Sequence, residues 1–585
     1  MKDTSNTPKS VSRRSILAAG AVLPGAILAA DSAFAAAPKS QAHHWDMEAD
    51  VVCVGSGAAA GAAAVTATSK GAKVIVLEKL PMTGGTTGKS GGVAWIPNNR
   101  FLRADGVNDS KQNAMRYMVR FSYPLRFAPD HPNLGVTEAE YKLIEAFYDN
   151  GSVAVEHLET SGALGFQPFR MFAVNRDAPD YADHVPENKT PHGRAIQPAA
   201  NAGGDTGGGS LAAQMEAWLL AKGVPVLTDT KVTRLIKQDN RVIGVEALDG
   251  DGKLLSIKAH KGVIFGTGGY AHNKELINRH QTALFGSCAR TGATGDFIAI
   301  AAEAGAAMGN LGSAWRSQVA LEEALENRAL ARCCDYLPGD SMITVNKYGK
   351  RVGNEKRNYN DRTRMHFTYD PTKEEYPNHL LFMIFDHRSL DSFGGSYPFP
   401  LDKSEAPAII EAPTLEALTE ALATRLTNIA HATGGVRLDP AFKANMLAEV
   451  SNFNRYATAG RDPDFDRGLH DYDRNWHLLF SARREGTSYP ANPYPNVTMH
   501  PMASKGPFYA IILAAGALDT NSGPLINEKA QVLDHQLRPI PGLYGAGNCI
   551  ASPSRDAYYG AGCTIGLALT YGYIAAQHSV SDIKA

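Results

Sequence analysis

The feature that most constrains this chain is a glycine-rich turn, Gly55-Ser56-Gly57-Ala58-Ala59-Ala60, set between two segments of different character. Ala49 to Val54 is a short apolar run of the kind that forms a strand buried on both faces. Ala58 to Lys70 is Ala-rich and helical, and Lys73 to Glu78 is a second buried strand. Together they make a βαβ unit of about 30 residues. The turn fits G-x-G-x-x-G/A, with Gly61 following. Gly55 permits the tight turn, Gly57 lets backbone approach a pyrophosphate, and Ala60 or Gly61 allows helix and strand to pack closely. The helix N-terminus offers unpaired N–H groups to phosphate. Glu78 ends the second strand, 21 residues beyond Gly57, where a ribose hydroxyl acceptor is expected.

Three further stretches separate FAD from NAD as the nucleotide. Gly84 to Gly92 (Gly-Gly-Thr-Thr-Gly-Lys-Ser-Gly-Gly) follows Glu78, Gly266-Thr267-Gly268-Gly269 ends a late buried strand at 261–265, and Gly542 to Asn548 lies near the C-terminus. A simple NAD domain needs none of them. With these four ordered motifs, and Thr294-Gly295-Asp296 besides, residues 46–585 resemble the flavoprotein family of fumarate reductases and 3-ketosteroid dehydrogenases. The resemblance implies FAD as cofactor. It places Gly55, Ser56, Gly57, Ala58, Ala59, Glu78, Lys79, Gly85, Thr86, Thr87, Ser90, Gly91, Gly92, Val232, Gly268, Asp296, Gly547, Asn548, Thr564 and Ile565 against that cofactor. It also implies an α/β fold. A Rossmann-like FAD-binding domain of the glutathione-reductase type, 46–310 and 505–585, is interrupted by an inserted α+β capping domain at 311–504. The active site is expected between the two, at the flavin.

Departures from the family's patterns choose the branch. Fumarate reductases resemble one another in a His-Thr-x-Gly-Gly stretch, an Arg that clamps a carboxylate and an Arg that donates a proton. Here those places hold Leu518 to Gly523 without His, Tyr558 to Gly566 without Arg, and Tyr359. A dicarboxylate would lose its bidentate, charge-assisted hydrogen bonds. The same stretches are similar to 3-ketosteroid dehydrogenases. Tyr558, Gly560, Gly562, Thr564, Ile565 and Gly566 match the Tyr-Pro-Gly-Pro-Gly-Gly-Thr-Ile-Gly pattern, and Asn354, Glu355 and Tyr359 match Asn-Glu-x-x-Pro-Tyr, with Asn358 in place of Pro. A third Tyr is implied, for which Tyr181 is the match.

The chemistry is coherent with those residues. Dehydrogenation beside a ketone needs a site for the developing oxyanion, and a Tyr hydroxyl with a backbone N–H can form one. Tyr558 and Gly562 are assigned there, Tyr359 is the base for the α-proton, and Tyr181 supports its phenolate. A small hydrophobic ketone, steroid-like, is the expected substrate, with enoate reduction as the alternative and a flavin carrier without turnover as a third reading. Arg555 could bind an acidic substrate, although an internal Arg555–Asp556 pair is the plainer expectation. The electron acceptor stays open between a quinone and a cytochrome.

The rest of the sequence bounds these readings. With 58 Lys+Arg against 59 Asp+Glu, the chain lacks the basic surplus of a nucleic-acid binder. Six Cys in 585 residues make no disulfide scaffold. Cys53 and Cys563 read as inert filler, Cys333-Cys334 as buried thiols, and no metal-ligand spacing appears. Ser12-Arg13-Arg14-Ser15 opens a twin-arginine signal peptide over residues 1–35, with Ala33-Phe34-Ala35 as its cleavage signal. The expected destination is the periplasm or the exterior. No later run reaches about 18 apolar residues, so no membrane span is expected in the mature chain.

Overall fold

A computed structural model describes residues 43–171, 174–200, 203–401, 406–479 and 491–581. The twin-arginine stretch and its cleavage signal lie outside these residues. Two sheets organise the chain from residue 45 onward.

The first sheet begins with the expected unit: β1 (Met47–Val54), α1 (Ala58–Ser69) and β2 (Val74–Leu77). Ten residues of α1 are buried, as expected for a helix apolar on every side. β3 (Val226–Leu227), the antiparallel pair β4 (Lys231–Gln238) and β5 (Arg241–Leu248), and β6 (Leu254–Phe265) follow. The alternating pattern of 231–247, broken at Asp239-Asn240, predicts a hairpin, and one forms, turning at Asp239, which takes φ +53°. Before it stand α2 (Glu138–Thr160) and α3 (Gly208–Ala221), where the helical spacing of apolar residues over 138–161 and 210–222 predicts helices. α2 starts from a reciprocal cap in which Thr137 accepts from Glu140 N and the Glu140 carboxylate accepts from Thr137 N.

The second sheet comprises β7 (Gly286–Ser287), β8 (Ala314–Ala320), β9 (Met342–Val345), β10 (Leu381–Asp386), β11 (Ile410–Ala412) and β12 (Phe508–Thr520). β12 is its centre, pairing with β7, β8, β10 and β11. This sheet therefore extends beyond 311–504 on both sides, to 286 and to 520. The central strand has to lie among its partners wherever it falls in sequence. Alternation divides its two faces. Ala510, Ile512 and Ala514 pack with Leu418 and Leu422 of α6 (Leu415–Asn428) and with Phe442 and Met446 of α7 (Phe442–Ala459). Tyr509, Ile511 and Leu513 pack on the other side with Phe385, Leu390 and Phe393.

The chain returns to the first sheet with β13 (Gln531–Leu533) and β14 (Pro539–Gly545). The order becomes β13-β14-β6-β1-β2-β3, with β5 also on β6 and β4 on β5. A last helix, α8 (Cys563–Ser579), packs against α1 so closely that a Cβ on Gly572 would lie 2.2 Å from the Ala59 carbonyl oxygen. No described helix is long and apolar enough to cross a membrane.

Candidate active site

Strand register brings the glycine motifs together. Parallel pairing sets Val54 beside Leu77 and Phe265, and Phe265 beside Gly545. The residues that follow, Gly55, Glu78, Gly266 and Ala546, therefore leave the sheet at one carboxyl edge, where ligands of open α/β sheets bind. A cavity with about 1050 Å³ of empty space lies there. Gly55 takes φ +101°, and a Cβ on it would lie 2.5 Å from the Gly266 carbonyl oxygen, so no larger residue fits the turn. Ala58 and Ala59, in the first turn of α1, and Thr564 and Ile565, in the first turn of α8, share the cavity wall. Two helix N-termini thus serve one space.

Of the residues expected against the cofactor, all but Gly91 and Gly92 line this cavity. Gly92 instead packs on backbone, where a Cβ would lie 2.5 Å from the Gly207 carbonyl carbon. Ser56 Oγ donates to Glu78 Oε2 (2.6 Å) and accepts from Gly84 N (2.9 Å), which joins the first two motifs. Ala58 N donates to Thr87 Oγ1 at 3.0 Å. Lys79 Nζ pairs with Asp296 Oδ2 (2.7 Å) and donates to Thr294 Oγ1 (2.6 Å), which accounts for the Thr294-Gly295-Asp296 stretch. Val232 lines the cavity beside Thr230 and Lys231.

Sequence reasoning missed Arg290 and Asp519, which also line the cavity. Arg290 had no motif to mark it; its backbone N–H donates to Thr86 Oγ1 at 3.1 Å. Asp519, near the end of β12 of the second sheet, accepts from Gly269 N (2.9 Å) and Asn548 Nδ2 (3.3 Å), tying two motifs with one carboxylate. Burial pushes Asp519 up to about 6, against the pull of those hydrogen bonds. The fit to FAD is direct: a carboxylate for ribose, two helix N-termini for pyrophosphate, and apolar walls from Leu77, Phe265 and Ile300.

Three tyrosines expected from distant stretches meet beside this cavity. The Tyr181 and Tyr558 rings stack with centroids 5.3 Å apart, and the Tyr359 ring stands edge-on to both, 5.5 Å from Tyr181 and 5.2 Å from Tyr558. The three phenols are close enough for each to shift its neighbours' acidity. Trp315 connects cluster and cavity: its ring meets Tyr558 edge-on at 5.2 Å and its Nε1 donates to Asn548 Oδ1 at 2.8 Å.

Each tyrosine is positioned by its own segment. Tyr359 opens a six-residue helix, Tyr359–Arg364, whose N-cap is Asn358; the Asn358 side chain accepts from Asp361 N at 2.9 Å. Asn at this place, where the related pattern has Pro, is thereby explained. Tyr558 precedes Gly562, the N-cap of α8, which takes φ +86°. A Cβ on Gly562 would lie 2.2 Å from the Val93 carbonyl oxygen. Its carbonyl accepts from Trp95 N and Gly566 N, while its N–H has no partner among the described residues. Tyr181 is tied to both other segments: its N–H donates to the Tyr559 carbonyl (3.1 Å), and its carbonyl accepts from Arg357, which also reaches Asp473 Oδ1 (3.0 Å). Beneath it, Asp180 accepts from Trp95 Nε1 (2.7 Å) and pairs with Arg194 (2.6 Å), which also makes two bonds to Asp109 (2.7 and 2.8 Å). No sequence motif announced this buried triad.

The electrostatics follow from burial. Burial pushes the phenols of Tyr181, Tyr359 and Tyr558 above the ordinary value of 10.0, and the other two phenols push Tyr359 higher still. The glutamate of the Asn-Glu pair stands apart from the cluster chemistry. Burial would raise Glu355, but Arg351 and Arg467 outweigh it and hold the carboxyl at about 2. The expected Arg555–Asp556 pair does not form; Arg555 is exposed, with its guanidinium 5.0 Å from the Tyr123 ring centroid. Cys53 and Cys563 are fully buried, and burial pushes each thiol up to about 12.

The comparisons with known proteins agree with this geometry. The family described as FAD binding domain matches residues 50–565. A 3-oxosteroid 1-dehydrogenase of Mycolicibacterium smegmatis is 30% identical, over 90% of this chain and 96% of that protein. A 4-oxocyclohexanecarboxylate 2-dehydrogenase of Sinomonas cyclohexanicum is 29% identical, over 90% of this chain and 92% of that protein. Among solved structures, the 3-ketosteroid delta1-dehydrogenase from Sterolibacterium denitrificans in complex with 1,4-androstadiene-3,17-dione superposes with a TM-score of 0.73 at 26% identity, covering 92% of this chain and all of that one.

Proposed function

This chain belongs to the FAD-binding flavoprotein family of fumarate reductases and 3-ketosteroid dehydrogenases and is an FAD-dependent oxidoreductase, and from that premise we propose that it desaturates a carbon–carbon bond beside a ring ketone. The observation that carries the reading is the meeting of Tyr181, Tyr359 and Tyr558 at the cofactor cavity. The proposed substrate is a cyclic ketone, most simply a 3-ketosteroid desaturated in the ring that bears the ketone.

In this reading the ketone oxygen sits between the Tyr558 hydroxyl and the open N–H of Gly562, two donors aimed at an oxygen that gains charge as the α-proton leaves. Tyr359 takes that proton, and the adjacent Tyr181 hydroxyl turns to donate to the phenolate so formed. Because burial raises the Tyr359 phenol, the base works only with that partner in place. The aromatic surround of Trp315, Tyr472 and Trp476 excludes water from the cluster. FAD, when bound, supplies the hydride acceptor at flavin N5. Glu78, Lys79 with Asp296, and the N-termini of α1 and α8 would hold its ribose and phosphates. Enoate reduction, the alternative, loses its supporting residue, since Arg555 is exposed beside Tyr123. The twin-arginine opening supports export of the folded holoprotein.

The test is turnover of androst-4-ene-3,17-dione with a dye as electron acceptor, following product by mass. Loss of two hydrogens from the steroid, or from 4-oxocyclohexanecarboxylate, is the expected result. Inertness towards both ketones, together with reoxidation of the reduced flavin by fumarate or urocanate, would refute the reading.

A further inference from the structure

Two of the six cysteines lie together outside the cavity and the tyrosine cluster. Cys288 follows β7, and its backbone N–H donates to the Ala517 carbonyl at 3.3 Å. Cys333 Sγ donates to the same carbonyl at 3.6 Å. The two segments are laced nearby by Ser287 N to Arg328 O (2.8 Å) and Leu330 N to Ser287 O (2.9 Å). Both side chains pack in one apolar cluster, although the residues are 45 positions apart in sequence. Cys334 faces away: its N–H bonds to Gln318 O at 2.7 Å, and it packs on the opposite face of the second sheet from Cys333. Adjacent residues of an extended segment point to opposite faces, so the neighbour in sequence is not the neighbour in space.

We infer that Cys288 and Cys333 form a disulfide in the folded protein when it meets an exogenous disulfide oxidant. The two positions divide the work. Cys288 is partly exposed and can be reached from solvent, while Cys333 is 4% exposed. The Cys288 thiolate attacks one sulfur of oxidised glutathione, forming a mixed disulfide and releasing one glutathione thiolate, which takes up a proton. Cys333 then loses its proton and attacks the Cys288 sulfur, releasing the second glutathione. Two protein thiols are oxidised to one disulfide, and one glutathione disulfide is reduced to two thiols. The Cys288 side chain, then burial, push the Cys333 thiol up, so Cys288 is the thiol that meets the oxidant first. The cross-link would fasten the segment leading to Arg290, Gly292 and Ala293 on the cavity wall to the segment leading to Tyr336. A loop of this length is one whose closure constrains the unfolded chain substantially.

The test uses the holoprotein with oxidised glutathione, followed by alkylation in denaturant and tryptic mapping. The expected result is the loss of two of six thiols, with peptides 280–290 and 333–347 joined and the flavin spectrum retained. Cys334→Ser should still cross-link, whereas Cys288→Ser and Cys333→Ser should not. Six thiols remaining, a stable glutathione adduct on Cys288 without cross-link, or a link that survives Cys333→Ser would each overturn the inference.

Discussion

The cavity edge and the tyrosine cluster lie side by side but are made in different ways. At the edge the backbone forms the site. Four strand ends fall in register, glycine clears the turn at Gly55, and two helix N-termini present their N–H groups. At the cluster, side chains form the site. Tyr181, Tyr359 and Tyr558 come from three distant segments and are held by Arg357, by the Tyr559 carbonyl, and by the buried Asp109–Arg194–Asp180 triad. The difference teaches that cofactor binding here is robust to most single side-chain changes, whereas turnover depends on a few. Substitutions should therefore separate the two regions.

The largest separation is expected from Tyr359→Phe. It removes the proposed base but no cavity residue, so FAD content should stay at wild-type level while substrate-driven flavin reduction falls about 10²–10⁴-fold. The wild-type rate should also climb with pH to beyond 10, because the proposed mechanism acts through the deprotonated phenol and burial has raised its value. A plateau near neutral pH would exclude Tyr359 as the base.

Next comes Arg194→Met. It strands the carboxylates of Asp109 and Asp180, both fully buried, and should cost about 3–5 kcal/mol in denaturant unfolding. A change below about 1 kcal/mol would show that the triad does not hold the floor under Tyr181.

The acid limb of stability should come from Glu355. Its folded value of about 2 lies below the ordinary 4.5, so its contribution is complete above 4.5 and disappears as pH falls towards 2. That is roughly 3 kcal/mol, since each unit is worth about 1.4 kcal/mol. Asp180 and Asp519 act with the opposite sign: both are raised to about 6 by burial, so acidifying from 7 to 5 should not destabilise. Unfolding midpoints measured from pH 7 to 3 should fall only below about 4.5, and Glu355→Gln should flatten that fall.

The smallest effect belongs to Asp296→Asn. Its pair with Lys79 is partly exposed, at 19% and 21%, and such pairs give about 1 kcal/mol or less. FAD should bind the apoprotein no more than about fivefold more weakly by fluorescence titration. A loss of a hundredfold would mean that this edge, too, relies on side chains.

The same contrast explains what the sequence could tell. The βαβ unit, the β4–β5 hairpin and all four glycine motifs were legible because each is local: the residues that act are adjacent, and their types are forced by turn geometry. Tyr359 and Tyr558 were legible only through resemblance of short patterns. Tyr181 was the loosest match, and its place depends on contacts with residues 357 and 559 that no window of sequence contains. Asp519 and Arg290 were invisible as cavity residues for the same reason: each reaches the cavity because of how sheets and loops meet. Gly92 shows the reverse. Its glycine type was read as cofactor contact, and the close packing on Gly207 is a second demand for glycine that no local pattern announces. The second sheet was blurred because its central strand, β12, comes after residue 504 and nothing in its apolar run names its partners.

The most direct test of the account is single-turnover flavin reduction by androst-4-ene-3,17-dione under anaerobic conditions, comparing the wild type with Tyr558→Phe at equal FAD content. The account predicts rapid bleaching in the wild type and a rate about 10²–10³-fold lower in the variant, the usual cost of losing one oxyanion donor. Equal rates in the two proteins would contradict it, since the ketone oxygen would then not be held by Tyr558.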